Sequence, residues 1–180
     1  NVPTHSTPVL NSTFGTNLTT ENLTVFNQST AAADGDAVIN IYDWRLNGDS
    51  IAILNLPFEA TTNATFSPDF TKLNNDANAS SIIYQQTGGK IGGAYDFTEG
   101  HSDTITIPFK QQFNFGNFTN FTLEAWINTT NVNGTIIIQG NATSGPSYYL
   151  ALTRSGNITA YISDGVDNVS VNGSNVTDNK

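Results

Sequence analysis

Helical periodicity is nearly absent from this chain. Short runs of β-branched and aromatic residues alternate instead with clusters of Asn, Gly, Asp and Ser. Such a chain can bury its apolar faces only as strands joined by turns, so an all-β antiparallel sandwich or barrel is expected. The runs predict strands at Asn22–Asn27, Ala37–Asn47, Ser50–Phe58, Ser81–Gln86, Ala94–Thr98, Asp103–Phe109, Phe121–Thr129, Gly134–Gly140, Ser147–Arg154, Asn157–Gly165 and Asn168–Gly173. "RLNGDS" at Arg45–Ser50 holds an Asn-Gly pair, a strong hairpin signal. "RSGN" at Arg154–Asn157 reads as a second hairpin turn. In "FTLEAWI", Phe121, Leu123, Ala125 and Ile127 share one face, while Thr122, Glu124 and Trp126 share the other. The first face is core; the second is mixed, with Trp126 able to pack on a neighbouring sheet or line a shallow groove.

That strand is flanked by Asn-x-Thr triplets, and the pattern runs through the chain. Asn-x-Ser/Thr occurs at Asn11, Asn17, Asn22, Asn27, Asn63, Asn78, Asn117, Asn120, Asn128, Asn133, Asn141, Asn157, Asn168, Asn172 and Asn175, which is 15 of 24 asparagines. Ser and Thr together make 39 of 180 residues, so chance alone gives about five such triplets. A threefold excess points to an exported, heavily N-glycosylated protein. Each used asparagine must then sit in a turn or on an outward strand face, because the sugar needs solvent.

Composition narrows the classes further. Six Lys plus Arg against fifteen Asp plus Glu give a net charge of −9 and no basic face, which argues against nucleic-acid partners. With no Cys, thiol catalysis, thiolate metal sites and disulfides are excluded; packing, ions or assembly must hold an extracellular chain instead. No run of eighteen apolar residues is present, so no membrane-spanning segment is expected within the chain. With no Met and no signal peptide at Asn1, the chain reads as a processed or excised piece, with any export signal or anchor expected outside it.

"GGKIGGAYDFTEGHSDTITIP" (Gly88–Pro108) followed by "NFTLEAWINTT" (Asn120–Thr130) resembles the laminin G-like, concanavalin A-like jelly-roll family. "YYLALTRSGNITAYISDG" (Tyr148–Gly165) is similar to that family's central hairpin. "DGDAVINIYDWRLNGDSIAILNLPFE" (Asp34–Glu59) resembles the end of an immunoglobulin-like module found beside such jelly rolls in archaeal and bacterial surface proteins. The resemblance implies an immunoglobulin-like β segment over residues 1–52, its core filled by Tyr42 and Trp44, fused to a jelly roll over 53–180. The family's later strands do not follow Val176–Lys180, so an incomplete jelly roll is expected, its edge covered by another copy or a neighbouring segment.

Catalysis is not expected. The chain has four Glu (Glu21, Glu59, Glu99 and Glu124), none in a Glu-x-Asp-x-Glu array, and neither His5 nor His101 adjoins a nucleophile motif. Calcium is a stronger candidate, since hard cations take several loop oxygens. Asp96, Glu99 and Asp103 in "DFTEGHSD", Asp164, Asp167 and Asn168 in "SDGVDN", and Asp34 and Asp36 in "ADGDA" are the candidate ligands. The competing reading is that these Asp and Gly residues simply make turns. Trp126, Tyr148, Tyr149 and Tyr161 are candidates for stacking on sugar rings, set against the same residues filling a core. The expected function is a structural or adhesive glycoprotein of the cell surface, whose partners are copies of itself. The alternative is a lectin-like module binding external glycans with calcium.

Overall fold

A computed structural model describes residues 2–59, 64–98, 102–115, 120–141 and 145–177, with main chain alone at 141, 145 and 146. Among these residues lie thirteen strands and one 3-10 helix, Gln111–Phe113, and no α-helix. The fold is all-β, and every ladder with a defined register is antiparallel. Among the described residues no helix is long and apolar enough to cross a membrane. The chain divides into two compact units, Asn1–Ile105 and Thr106–Lys180.

The first unit opens with a long ribbon, β1 (Thr4–Ser12) against β2 (Leu23–Ala31). Its register shifts between Ser6 and Val9, where Pro8 has no N–H to give the ladder. The Asn-Gly hairpin follows as β3 (Arg45–Leu46) and β4 (Asp49–Ser50). Asn47 (φ 54°) and Gly48 (φ 95°) both take the left-handed conformation that a two-residue turn requires. Arg45 Nε donates to Asp43 at 2.8 Å, and Ser50 Oγ donates to the same carboxylate at 2.5 Å. The Ser50 bond foremost holds the Asp43 carboxyl below its usual range.

The flanks of this hairpin differ from expectation. Residues 37–44 and 51–58 form no regular strand, and Tyr42 and Trp44 are exposed rather than core. Polar anchors hold the segment instead: the Asn55 amide donates to Asp69 Oδ1 at 3.0 Å, and Asn75 Nδ2 donates to the Ile53 carbonyl at 2.5 Å. Asp69 is the hub of the loop that follows β5 (Phe66–Ser67). Its carboxylate also accepts the Thr71 and Asn75 amides, both at 3.1 Å, and the Thr71 hydroxyl at 2.6 Å. Burial alone would raise its pKa, but these hydrogen bonds outweigh it and hold the carboxyl below the usual range.

β6 (Ala77–Ser80) shows the alternation of a strand with one face inward: Ala77 and Ala79 are buried, Asn78 and Ser80 exposed. Ala79, Ile82 and Tyr95 form the unit's small core, with Phe58, Tyr84 and Ile105 packed against it. Tyr84 belongs to β7 (Ile83–Gln85), which pairs with β8 (Ala94–Asp96); β9 (Thr104–Thr106) joins β5 and β6 in a three-stranded sheet. The glycine-rich run before β8 has a steric cause. A Cβ at Gly93 would collide with the Phe58 carbonyl and the Tyr84 hydroxyl, while the Gly93 amide donates to Glu59 Oε2 at 3.1 Å. Phe58 takes an unusual left-handed φ of 63° for a bulky residue. Its ring packs edge-on against Tyr95 with centroids 5.0 Å apart, and its carbonyl accepts the Tyr84 hydroxyl at 2.8 Å.

The second unit is organised by one four-stranded antiparallel sheet in sequence order: β10 (Thr135–Asn141), β11 (Gly145–Leu152), β12 (Asn157–Ser163) and β13 (Asn168–Asn175). The "RSGN" turn joins β11 to β12, with Gly156 at φ 76°. Phe121–Thr129 is not a strand in the structure. Phe121 and Leu123 still point to the core side, while Glu124 through Asn128 are exposed, and among the described residues the segment joins no ladder.

Candidate functional site

The β10–β13 sheet has two chemically distinct faces, fixed by register. Leu150, Ala160 and Val171 stand opposite one another, as do Ile162 and Val169, so Tyr148, Leu150, Leu152, Ile158, Ala160, Ile162, Val169 and Val171 share one face. Tyr149, Tyr161 and Ser170 are likewise opposite one another, which puts Thr159, Ser163, Asn168 and Asn172 with them on the other face. The first face is apolar. Tyr148 is only 6% exposed there, its ring meeting Phe115 and Phe121 at centroid distances of 5.2 and 5.3 Å, and its hydroxyl donating to the Phe113 carbonyl at 3.2 Å. Tyr148 is therefore a core residue, and the expectation that it stacks on a surface sugar is corrected. Burial raises the pKa of its phenol.

Further along the apolar face the cover runs out. Phe121 and Leu123 face Leu150, Ala160, Ile162, Val169 and Val171 across a groove of about 340 Å³. Tyr149 and Tyr161, whose strand register places them on the other face, border the groove as well. Val169 is 66% and Val171 67% exposed. They lie on β13, an edge strand with no neighbour on its outer side among the described residues. Trp126 is 81% exposed.

The triplet asparagines form the other constellation. Asn63 and Asn117 lie outside the described residues, as does the Asn141 side chain. Of the remaining twelve, Asn11, Asn17, Asn22, Asn27, Asn78, Asn120, Asn128, Asn133, Asn168, Asn172 and Asn175 are exposed, and Asn157 is half-buried. Outside triplets Asn40, Asn47, Asn74, Asn114 and Asn131 are exposed too, and Asn75 is 1% exposed. For the triplets a reason lies in the spacing. Asparagine and hydroxyl are two residues apart, the period of a strand, so both point outward while the middle residue turns in. Asn78–Ala79–Ser80 and Asn11–Ser12–Thr13 both read exposed, buried, exposed. Asn120–Phe121–Thr122 and Asn128–Thr129–Thr130, outside any strand, also pair exposed ends with a half-buried centre, whereas Asn168–Val169–Ser170 in β13 is exposed throughout. Asn17 (φ 58°) and Asn133 (φ 60°) instead occupy left-handed turn positions. At Asn175 the amide oxygen accepts the Thr177 amide at 3.0 Å and the Thr177 hydroxyl at 2.8 Å, an Asx turn within the triplet itself.

The acidic loops are turns by their hydrogen bonding. Asp164 Oδ1 accepts the Val166 amide at 2.9 Å and the Asp167 amide at 2.8 Å, bonds that lower its pKa. Asp103 Oδ2 accepts the Thr98 amide at 2.6 Å, while Asp96 is exposed and Glu99 lies outside the described residues. Asp34 and Asp36 flank Gly35 (φ 81°) in a turn closed by its amide on the Ala32 carbonyl at 3.1 Å. Among the described residues no three His, Asp or Glu side chains converge on a common point. Comparison with protein-family models, with curated proteins and with solved structures finds nothing that matches this chain.

Proposed function

We propose that this chain is an extracellular, heavily N-glycosylated structural or adhesive protein of a cell surface, a subunit or repeat of a filament, sheath or surface layer built through β-strand contacts. The observation that carries the reading is the threefold excess of triplets, 15 against about five by chance, and none of the twelve described triplet side chains is buried. Exposure adds only consistency, since of the seven described asparagines outside triplets Asn75 alone is buried. The edge strand β13, with its exposed valines beside an apolar groove, supplies a pairing surface of the kind used in strand-mediated assembly. A charge placed there should oppose such pairing. Electron microscopy of native cell surfaces and of the purified protein tests this: ordered filaments or sheets are expected, lost in a Val169→Lys/Val171→Lys variant. Dispersed monomers at all concentrations would refute it.

A second reading, a lectin-like module for external glycans, rests on the 81% exposed Trp126. Saturable binding on a glycan array, abolished by Trp126→Ala, would favour it over the first.

A further inference from the structure

The polar face of the β10–β13 sheet carries an aromatic pair that the apolar core does not use. Tyr149 and Tyr161 are cross-strand partners whose rings lie parallel, with centroids 4.8 Å apart and planes within 5°. Both are half-buried on the face where the sheet turns its hydroxyls and amides outward. Register fixes what stands beside them. Tyr161 is opposite Ser170, so Asn168 and Asn172 occupy the two diagonal positions on β13, on the same face, about 7–8 Å away. Both asparagines begin Asn-x-Ser triplets, Asn168–Val169–Ser170 and Asn172–Gly173–Ser174. The residues that would carry sugar therefore bracket the aromatic platform.

We propose that the Tyr149–Tyr161 pair is a binding site for the chain's own carbohydrate: the pyranose ring linked to Asn168 or Asn172 folds back and stacks on the Tyr161 ring. This inference rests on the proposed N-glycosylation. The chemistry is favourable in a specific way. A pyranose presents axial C–H bonds on one ring face, carrying slight positive charge, and a tyrosine ring presents the negative face of its quadrupole. Contact also removes apolar area of both from water. A diagonal span of about 7–8 Å is within reach of an asparagine side chain extended by one sugar ring. The device leaves the opposite face bare, so Val169 and Val171 keep their exposure while the carbohydrate lies flat on the other side.

The test is a cycle on glycosylated protein from the native source: unsubstituted, Tyr161→Val, Asn168→Gln/Asn172→Gln, and all three changes together. Loss of the two glycans should lower Tm by about 3–6 °C when Tyr161 or its Tyr161→Phe counterpart is present, and by nothing measurable in the Tyr161→Val background. Independently, in the unsubstituted protein, ring current should shift the C–H protons of the first sugar at Asn168 or Asn172 upfield relative to those at Asn78; this readout needs no variant to fold. Occupied Asn168 and Asn172 with neither coupling nor shift would overturn the inference and leave the glycoprotein reading standing. Bare Asn168 and Asn172 with sugar elsewhere would do the same. Asparagines bare throughout would overturn both.

Discussion

Replacing Asp69 by Asn changes almost nothing in shape and should still cost much of the first unit's stability. Asp69 Oδ1 accepts the Asn55 and Thr71 amides at 3.0 and 3.1 Å, and Oδ2 accepts the Thr71 hydroxyl at 2.6 Å and the Asn75 amide at 3.1 Å. In Asp69→Asn the remaining oxygen can keep one pair, and the new NH2 then faces the other. The Thr71 hydroxyl can rotate to accept from it. The Asn75 amide cannot, and Asn75 is 1% exposed, so water cannot replace the lost acceptor. An orphaned buried donor costs about 1–3 kcal/mol, and weakening the surviving charge-assisted bonds brings the expected total to about 2–3 kcal/mol. Urea unfolding followed by Trp44 fluorescence, in a Trp126→Phe background, reads the first unit; the midpoint should fall with the slope unchanged. The effect has a pH signature. A carboxyl whose folded pKa is depressed contributes fully above its unfolded value of about 3.9, and the contribution is lost as pH falls through the folded value. The difference between the two proteins should therefore begin to shrink as pH falls below about 4 and vanish only once pH is below the folded value. A difference under about 0.5 kcal/mol at pH 7 would refute the hub role, since that is the size of an ordinary surface substitution.

Gly93→Ala should destabilise the first unit by at least about 2 kcal/mol in the same assay, because its methyl would displace the Phe58 carbonyl and the Tyr84 hydroxyl. Tyr148→Phe removes one buried hydrogen bond, to the Phe113 carbonyl, and should cost the second unit about 1 kcal/mol by thermal melting. Asp164→Ala releases the Val166 and Asp167 amides, so their hydrogen exchange should accelerate with the β12–β13 turn, in chelator-treated protein as much as in calcium. Protection that returns only when calcium is added to the unsubstituted protein would instead assign Asp164 an ion.

The sequence revealed most where a local rule fixes the backbone. Asn47–Gly48 and Arg154–Asn157 both close hairpins as read, because a left-handed turn residue specifies geometry without distant help. The runs read as strands at Asn157–Gly165 and Asn168–Gly173 are likewise real strands, at Asn157–Ser163 and Asn168–Asn175. Alternation misled at Phe121–Thr129, where the period is right but the segment joins no ladder among the described residues. It misled at residues 37–44 as well, which form no strand and are held by contacts such as the Tyr42 hydroxyl on Asn27 of β2. The ribbon strand Thr4–Ser12 was hidden by Pro8 and by its Thr and Ser content. Asp69 could not be read as a hub, because two of its donors, Asn55 and Asn75, sit 14 and 6 residues away. At the candidate site the triplets were visible at once. The bracketing of Tyr161 by Asn168 and Asn172 needed the register of a strand pair, which no single segment encodes.

Site-resolved mass spectrometry of peptides from the native-source protein, with and without enzymatic deglycosylation, measures the central claim directly. Sugar is expected on exposed triplet asparagines such as Asn78 and Asn172, and none on the buried Asn75. Unmodified asparagines at every triplet would contradict the account.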